Sequence, residues 1–309
     1  MNKRKLVSRI SEEGECEFMK ALKKVKPRVI AILIIVTFVV TFVGYISHNI
    51  ISADSVSDKG KGLFVPIIMY HSILADPSKQ GEYIVSPIVL ENDIIYLKEH
   101  GYQTVFVSDL IDYVYSGKSL PKKPVILTFD DGNYNNYTYV QDLLRKHDCC
   151  ATVSVVGTYT EKEQGAERSP SYSYLTFDEI VLMRKSGLFE IANHSYNMHT
   201  LGERKGALRK SNESYELYRS EFLSDLLTGQ SLFNDKCGFK PLVYTYPFGL
   251  IEKDTTKFVR GCGFLASMGV EEKPNYITDN PECLFCLNRY NRPSGISTDA
   301  FMNKALRQD

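Results

Sequence analysis

Two adjacent carboxylates, Asp130 and Asp131, come shortly after a run of strand-forming residues from Val125 to Thr128. The run predicts a buried strand, and in an α/β protein its carboxyl end lies at the sheet edge where sites are usually built. Neighbouring carboxylates repel each other unless a positive charge lies beside them. A divalent metal bound by one carboxylate would meet that need and leave the other free as a base. A plain Asp-Gly turn, ending in Gly132, is the alternative.

Two histidines, His194 and His199, stand five positions apart. On an α-helix this spacing rotates them by roughly 140°, onto different faces, so a helical zinc motif is excluded. A tight loop after a strand could instead turn both imidazoles towards one point. Two histidines and one aspartate form a suitable ligand set for a catalytic divalent ion with open coordination positions. The alternative is a pair of unrelated surface or packed histidines.

The elements that must position these side chains alternate between strand-like and helix-like patterns from Leu63 to Leu306. Such alternation predicts parallel strands with crossover helices, in either an open doubly wound sheet or a barrel. Three predicted strands end on residues capable of chemistry: His71, the Asp130–Asp131 pair and His194. In both architectures these strand ends lie at the same edge of the sheet.

Three local patterns predict particular elements. Thr176 and Glu179 have the spacing of a capping box that opens a helix. Residues 212–229 have the pattern of a longer amphipathic helix, and Cys283–Leu287 resembles a last strand. Because a single Cys-x-x-Cys pair is a weak metal or redox signal, core packing or a local disulfide is favoured for Cys283 and Cys286.

The 309-residue chain has no formal net charge, but its charges are unevenly distributed. Residues 1–28 hold nine Lys and Arg against four Glu, which leaves 28 basic and 33 acidic residues in the remainder (37 − 9 and 37 − 4). An acidic remainder does not suggest a nucleic-acid partner. Residues 29–46 carry no charge and are almost entirely apolar. This segment is barely long enough to span a bilayer.

The basic flank before this apolar segment predicts a cytoplasmic N-terminus with the rest of the chain outside the membrane. The predicted organisation is a cytoplasmic segment 1–28, a transmembrane anchor 29–46, a linker 47–62 and one domain 63–309. A cleaved signal peptide is the alternative, but no good small-residue cleavage site follows the apolar segment.

Three short motifs resemble those of the polysaccharide deacetylases, which are carbohydrate esterase family 4 with the NodB-homology domain. They are Thr128–Gly132, His194–His199 and Tyr246–Gly249, and the resemblance covers roughly residues 64–295. Within this family the chain is most similar to the poly-N-acetylglucosamine deacetylase branch. The features that point there are the five-residue histidine spacing, the sequence Tyr70-His71-Ser72-Ile73, and Thr245 where other members carry an arginine.

The resemblance implies a role for each matching residue. Asp131, His194 and His199 would bind a divalent metal, with Zn²⁺ as the expected ion. Asp130 would be the general base and His71 the general acid, and the backbone N–H near Phe248 would help to form an oxyanion hole. Because the third-motif arginine is missing, we hypothesise that Arg289 orients Asp130; a surface ion-pair role for Arg289 is the alternative.

The predicted fold is a distorted (β/α) barrel of about seven parallel strands, preceded by one transmembrane helix. The predicted function is metal-dependent removal of N-acetyl groups from an N-acetylglucosamine polymer, either exopolysaccharide or peptidoglycan, outside the membrane in a bacterial cell envelope. A catalytically inactive carbohydrate-binding protein on the same fold is one alternative. A metal-dependent amidase acting on a non-carbohydrate substrate is another, since fold alone does not decide the substrate.

Overall fold

Strands and helices alternate along residues 62–163 and 167–308, which are the residues that this computed structural model describes. The strands are β1 (Leu63–Phe64), β2 (Ile67–Tyr70), β3 (Ser72–Ile73), β4 (Ile84–Val85), β5 (Gln103–Thr104), β6 (Pro124–Phe129), β7 (Ala151–Val155), β8 (Phe189–Asn193), β9 (Val243–Thr245), β10 (Ala266–Met268), β11 (Tyr276–Ile277) and β12 (Tyr290–Asn291). The helices are α1 (Pro87–Glu99), α2 (Val107–Ser116), α3 (Gln141–His147), α4 (Gly157–Lys162), α5 (Phe177–Lys185), α6 (Tyr215–Cys237), α7 (Thr255–Gly261) and α8 (Thr298–Ala305).

Seven strands form a parallel sheet in the order β10-β9-β8-β7-β6-β2-β12, and β5 also pairs with β6. Leu287 forms a parallel bridge to Met268 of β10, and β12, three residues later, pairs with β2. One short stretch of chain therefore contacts both edges of the sheet, which curls accordingly. The predicted parallel sheet of about seven strands is confirmed, and its curl is consistent with a (β/α) barrel.

Side chains along β6 alternate between the two faces of the sheet, because successive residues of a strand point in opposite directions. The outward residues pack against α1, α3, α5 and α8 in the larger hydrophobic core; they are Val125, Leu127 and Phe129. Ile126 points the other way, into a second apolar cluster. The same period of two places Thr128 on the inner face and directs the next inward position, Asp130, to the interior at the carboxyl end of the strand.

The helix boundaries follow from their terminal residues. At the start of α1 the Ser86 hydroxyl accepts a hydrogen bond from Val89 N, and Pro87 occupies the first turn, where its missing N–H costs nothing. Thr176 and Glu179 form the predicted capping box, with both reciprocal hydrogen bonds present at the start of α5.

Two predicted elements are wrong in their bounds or type. The helix expected to end at Gly229 continues to Cys237 and is stopped by Gly238, whose φ is +75°. The strand expected at Cys283–Leu287 is instead a 3₁₀ turn at Pro281–Leu284, followed by the single bridge at Leu287. Asn280 caps that turn by accepting a hydrogen bond from Glu282 N, so a local cap prevails over the apolar pattern.

The predicted cytoplasmic segment, transmembrane anchor and all but the last residue of the linker lie outside the described residues. Within residues 62–163 and 167–308, none of the helices is both long enough and apolar enough to span a membrane.

Candidate metal centre and active site

The turn after β6 separates the two carboxylates. Asp131 and Gly132 have φ values of +72° and +70°, so the chain leaves the strand direction immediately after Asp130. A Cβ on Gly132 would lie 3.2 Å from a methyl group of Val155 on β7. Both the positive φ and this close approach therefore favour glycine at this position. As a result Asp130 continues the inward row of β6, whereas Asp131 turns towards the end of β8.

The loop after β8 brings the two predicted histidines together. Ser195 adopts a φ of +73°, and its hydroxyl accepts a hydrogen bond from Met198 N at 3.1 Å. The ring centroids of His194 and His199 are 4.8 Å apart. Asp131 Oδ1 lies 3.7 Å from His194 Nε2 and 3.1 Å from His199 Nε2. Asp131, His194 and His199 thus converge on one point, with ligand atoms within 4.8 Å of one another.

Hydrogen bonds on the far side of each ring set the histidine tautomers. His194 Nδ1 lies 2.9 Å from the carbonyl oxygen of Thr245 and must donate to it. The Tyr159 hydroxyl donates to the His199 carbonyl, which leaves its oxygen to accept from His199 Nδ1 at 3.2 Å. Each ring therefore presents an unprotonated Nε2 to the carboxylate. Burial also lowers the pKa of His194 to about 4, so its ring is neutral, as metal binding requires.

This donor set fits a divalent metal ion. Two nitrogen lone pairs face a carboxylate oxygen, and no residue in the described part of the chain donates a hydrogen bond to Asp131 Oδ1. Such an arrangement is repulsive unless a cation lies between the groups. Histidines whose other nitrogen is hydrogen-bonded, together with a carboxylate, are a common ligand set for zinc and related ions.

Arg289 binds Asp130 through two parallel hydrogen bonds. Arg289 Nη1 donates to Asp130 Oδ1 at 2.7 Å and Nη2 to Oδ2 at 2.8 Å, while Nε donates to the carbonyl of Gly269 at 2.7 Å. Arg289 is 0% exposed, so the surface ion-pair alternative is wrong. Burial raises the pKa of Asp130, but the positive charge of Arg289 and its two hydrogen bonds outweigh burial and hold that pKa well below its usual range.

His71 follows β2 at the same edge of the sheet. Its carbonyl accepts a hydrogen bond from Asn136 Nδ2 at 2.8 Å, and its ring contacts Tyr83 edge-on with centroids 4.8 Å apart. Its Nδ1 is buried, and no described residue forms a hydrogen bond with it.

Phe248 packs against His199. Its ring is 4.4 Å from that of His199, and its φ of +56° belongs to a tight turn in which Gly249 N donates to the Tyr246 carbonyl. A Cβ on Gly249 would lie 2.1 Å from a methyl group of Val270, so this turn requires glycine. Tyr246, which opens the turn, is fully buried and belongs to a hydrophobic cluster.

The sequence did not reveal the residues that orient the histidines. Tyr159 lies on α4, and no local pattern marks it. Thr245 stands where an arginine was expected, but it acts through its backbone carbonyl, which any residue could supply. Both contacts depend on neighbouring strand ends meeting in space.

Residues 117–267 match the family model described as polysaccharide deacetylase. The chain carries a polysaccharide deacetylase domain. The poly-β-1,6-N-acetyl-D-glucosamine N-deacetylase of Staphylococcus aureus strain MRSA252 is 27% identical over 229 residues, which are 74% of this chain and 72% of that protein. The enzyme of the same name from Escherichia coli K12 is 26% identical over 202 residues, or 59% of this chain and 30% of that protein.

Solved structures share the fold of this deacetylase domain. A de-N-acetylase from Aggregatibacter actinomycetemcomitans has a TM-score of 0.67 at 21% identity and covers 78% of this chain and 99% of its own. IcaB from Ammonifex degensii has a TM-score of 0.63 at 21% identity and covers 80% and 97%. The resemblance stated from the three sequence motifs is confirmed.

Proposed function

We propose that this chain is a metal-dependent N-deacetylase that hydrolyses the N-acetyl groups of an N-acetylglucosamine polymer. The observation that carries the proposal is the convergence of Asp131, His194 and His199 beside a second carboxylate, Asp130, held by Arg289. The curated relatives are named poly-β-1,6-N-acetyl-D-glucosamine N-deacetylases, which supports this polymer as the first substrate to test.

Asp131, His194 and His199 would hold the divalent metal, with Zn²⁺ as the expected ion. When bound, such an ion acts as a Lewis acid and lowers the pKa of a coordinated water to about 7. Asp130 Oδ2 lies 3.9 Å from His194 Nε2, so its carboxylate borders the same space. Because Asp130 is ionised, it can accept the proton of a water that attacks the acetamide carbonyl.

His71 would protonate the departing amine, so that the products are acetate and the free amino sugar. No side chain among the described residues forms a hydrogen bond with His71 Nδ1, so no such bond fixes the tautomer of this ring. The backbone N–H near Phe248 would donate to the oxyanion formed at the acetamide carbon. Arg289 would keep both Asp130 oxygens in a fixed orientation, in place of the missing third-motif arginine.

We also propose that residues 29–46 anchor the chain in the cell membrane, with the N-terminus cytoplasmic and the catalytic domain outside. The support is the uncharged apolar stretch and the basic flank that precedes it, since positive residues are retained on the cytoplasmic side.

The test is acetate release by the full-length chain from a poly-β-1,6-N-acetylglucosamine pentamer, a chitin pentamer, peptidoglycan and a small acetamide. We expect release that a chelator stops, that added Zn²⁺ restores and that Asp130→Asn abolishes. Asp142→Asn, which alters an exposed carboxylate of α3, is the matched control and should keep full activity.

Two outcomes would contradict the proposal. No release from any polymer or from a small acetamide by folded, metal-loaded protein would favour the carbohydrate-binding alternative. Release from small acetamides but from no polymer would favour the non-carbohydrate amidase.

A further inference from the structure

A buried carboxylate lies behind the loop that joins the two histidines and takes no part in the chemistry described above. Asp225, in the middle of α6, is only 7% exposed. Its Oδ1 accepts a hydrogen bond from Tyr196 N at 2.9 Å, and its Oδ2 accepts one from Asn197 N at 2.7 Å. Both N–H groups belong to residues between His194 and His199, so this carboxylate holds the middle of the loop.

Apart from those two hydrogen bonds, the surroundings of Asp225 do little to stabilise its negative charge. Arg204, the arginine whose charge reaches Asp225, forms its ion pairs with Glu213 and Glu221. Burial therefore prevails and raises the pKa of Asp225 to about 6. A buried carboxylate is costly unless donors satisfy it, and here the loop's own backbone supplies both donors.

The opposite side of the same loop is held as well. Gly157 N and Thr158 N, at the start of α4, donate to the carbonyl oxygens of Ser195 and Tyr196 at 3.1 and 2.9 Å. Carbonyl groups are thus bound on one side and N–H groups on the other. These contacts on both sides hold the loop in the conformation in which Ser195 has a φ of +73°, a value that is uncommon for a non-glycine residue.

Helix α6 also packs directly against the end of β8. Gly229 lies one helical turn after Asp225, and a Cβ there would be 2.7 Å from Asn193 Nδ2. Asn193 is the residue before His194. The contact with Asn193 at the end of β8 therefore fixes the position of α6. The same contact fixes the position of Asp225 relative to the loop between His194 and His199.

We propose that Asp225 is a positioning residue for the metal centre, and that it sets the separation of the two imidazoles by binding the peptide N–H groups between them. The inference rests on the metal site proposed above. Groups that orient ligands in this way typically change metal affinity or activity by about 10- to 100-fold.

The experiment measures Zn²⁺ affinity of the full-length chain by competition with a chromophoric chelator. We expect Asp225→Ala to weaken binding by about 10- to 100-fold, and Asp225→Asn, which keeps one acceptor oxygen, to lie between it and the unchanged protein. The absorption spectrum of the Co²⁺-loaded protein should change in both variants, because it reports the arrangement of the ligands. Asp235→Asn, at an exposed position of α6, is the matched control and should change neither readout.

The outcomes separate the inference from the function on which it rests. If the unchanged protein binds Zn²⁺ and the folded Asp225→Asn and Asp225→Ala variants bind it equally well with the same Co²⁺ spectrum, the positioning role is wrong. If the unchanged protein binds no metal, the proposed metal site itself fails and the inference with it. Should Asp225→Ala not fold, a folded Asp225→Asn with weakened binding would still support the role.

Discussion

The side chain of Arg289 meets that of Asp130 across 159 positions of sequence. Thr128 Oγ1 accepts a further, longer hydrogen bond from the same guanidinium at 3.3 Å. A planar guanidinium can hold both oxygens of a carboxylate at once, which an ammonium group cannot do. The pair therefore fixes the orientation of Asp130 as well as its charge.

We predict that Arg289→Ala lowers the free energy of unfolding by about 3–5 kcal/mol, the usual cost of leaving one partner of a buried pair alone. The pKa of Asp130 will rise without the guanidinium, so the acid limb of the pH–rate profile will move to higher pH. Arg289→Lys keeps a positive charge without the two-pronged geometry and should have an intermediate effect.

Urea unfolding and kcat as a function of pH measure these effects. Arg145→Ala, which removes an exposed arginine paired with Asp142, serves as the control and should alter neither. An unchanged rate and pH profile in Arg289→Ala would refute the orienting role.

At the scale of elements, a buried aspartate joins α1 to the C-terminal part of the domain. Asp93 on α1 accepts hydrogen bonds from the Tyr70 hydroxyl of β2 and the Thr298 hydroxyl of α8. Arg292, just after β12, donates to both of its oxygens at 2.7 and 3.1 Å. Since β12 pairs with β2 at an edge of the curled sheet, the cluster fastens the end of the chain beside that pairing.

We predict that Asp93→Ala lowers the free energy of unfolding by about 3–5 kcal/mol, because Arg292 would remain buried without its counter-ion. Urea unfolding followed by circular dichroism measures the change. Asp142→Ala, which breaks an exposed pair, should have an effect of at most about 1 kcal/mol. A loss for Asp93→Ala no larger than that of this control would contradict the fastening role.

At the scale of the whole molecule, the proposed metal would connect two parts of the sheet. Its ligands follow β6 and β8, which lie on either side of β7, and the unfolded chain does not hold them together. A ligand that binds only the folded state stabilises it by about 2.7 kcal/mol at 100 times its Kd.

We predict that Zn²⁺ at that concentration raises Tm by roughly 5–10 °C above the chelator-treated protein, at about 2–4 °C per kcal/mol for a domain of this size. Differential scanning calorimetry measures the shift. The double variant Asp131→Ala/His199→Ala should lose it. Equal Tm values for the chelated and Zn²⁺-loaded protein would argue against a metal site at these residues.

Local patterns in the sequence were sufficient to predict the strand ends that carry chemistry. The buried run before Asp130 predicted β6, and the capping box at Thr176 predicted the start of α5, because each depends on neighbours only a few residues away. The three family motifs placed Asp131, His194 and His199 in one ligand set, although their roles remain predictions.

Only the tertiary structure decided which distant groups meet. Three contacts join segments that are far apart in the chain. They are the Arg289–Asp130 pair, the contacts of Asp225 with the histidine loop, and the pairing of one short stretch with both sheet edges. No local period encodes such contacts, because they arise from how the parallel sheet curls and which side chains it buries together. The continuation of α6 past Gly229 has the same cause. Because Gly229 has no side chain, the helix can pack closely against Asn193, and this contact favours glycine inside the helix instead of at its end.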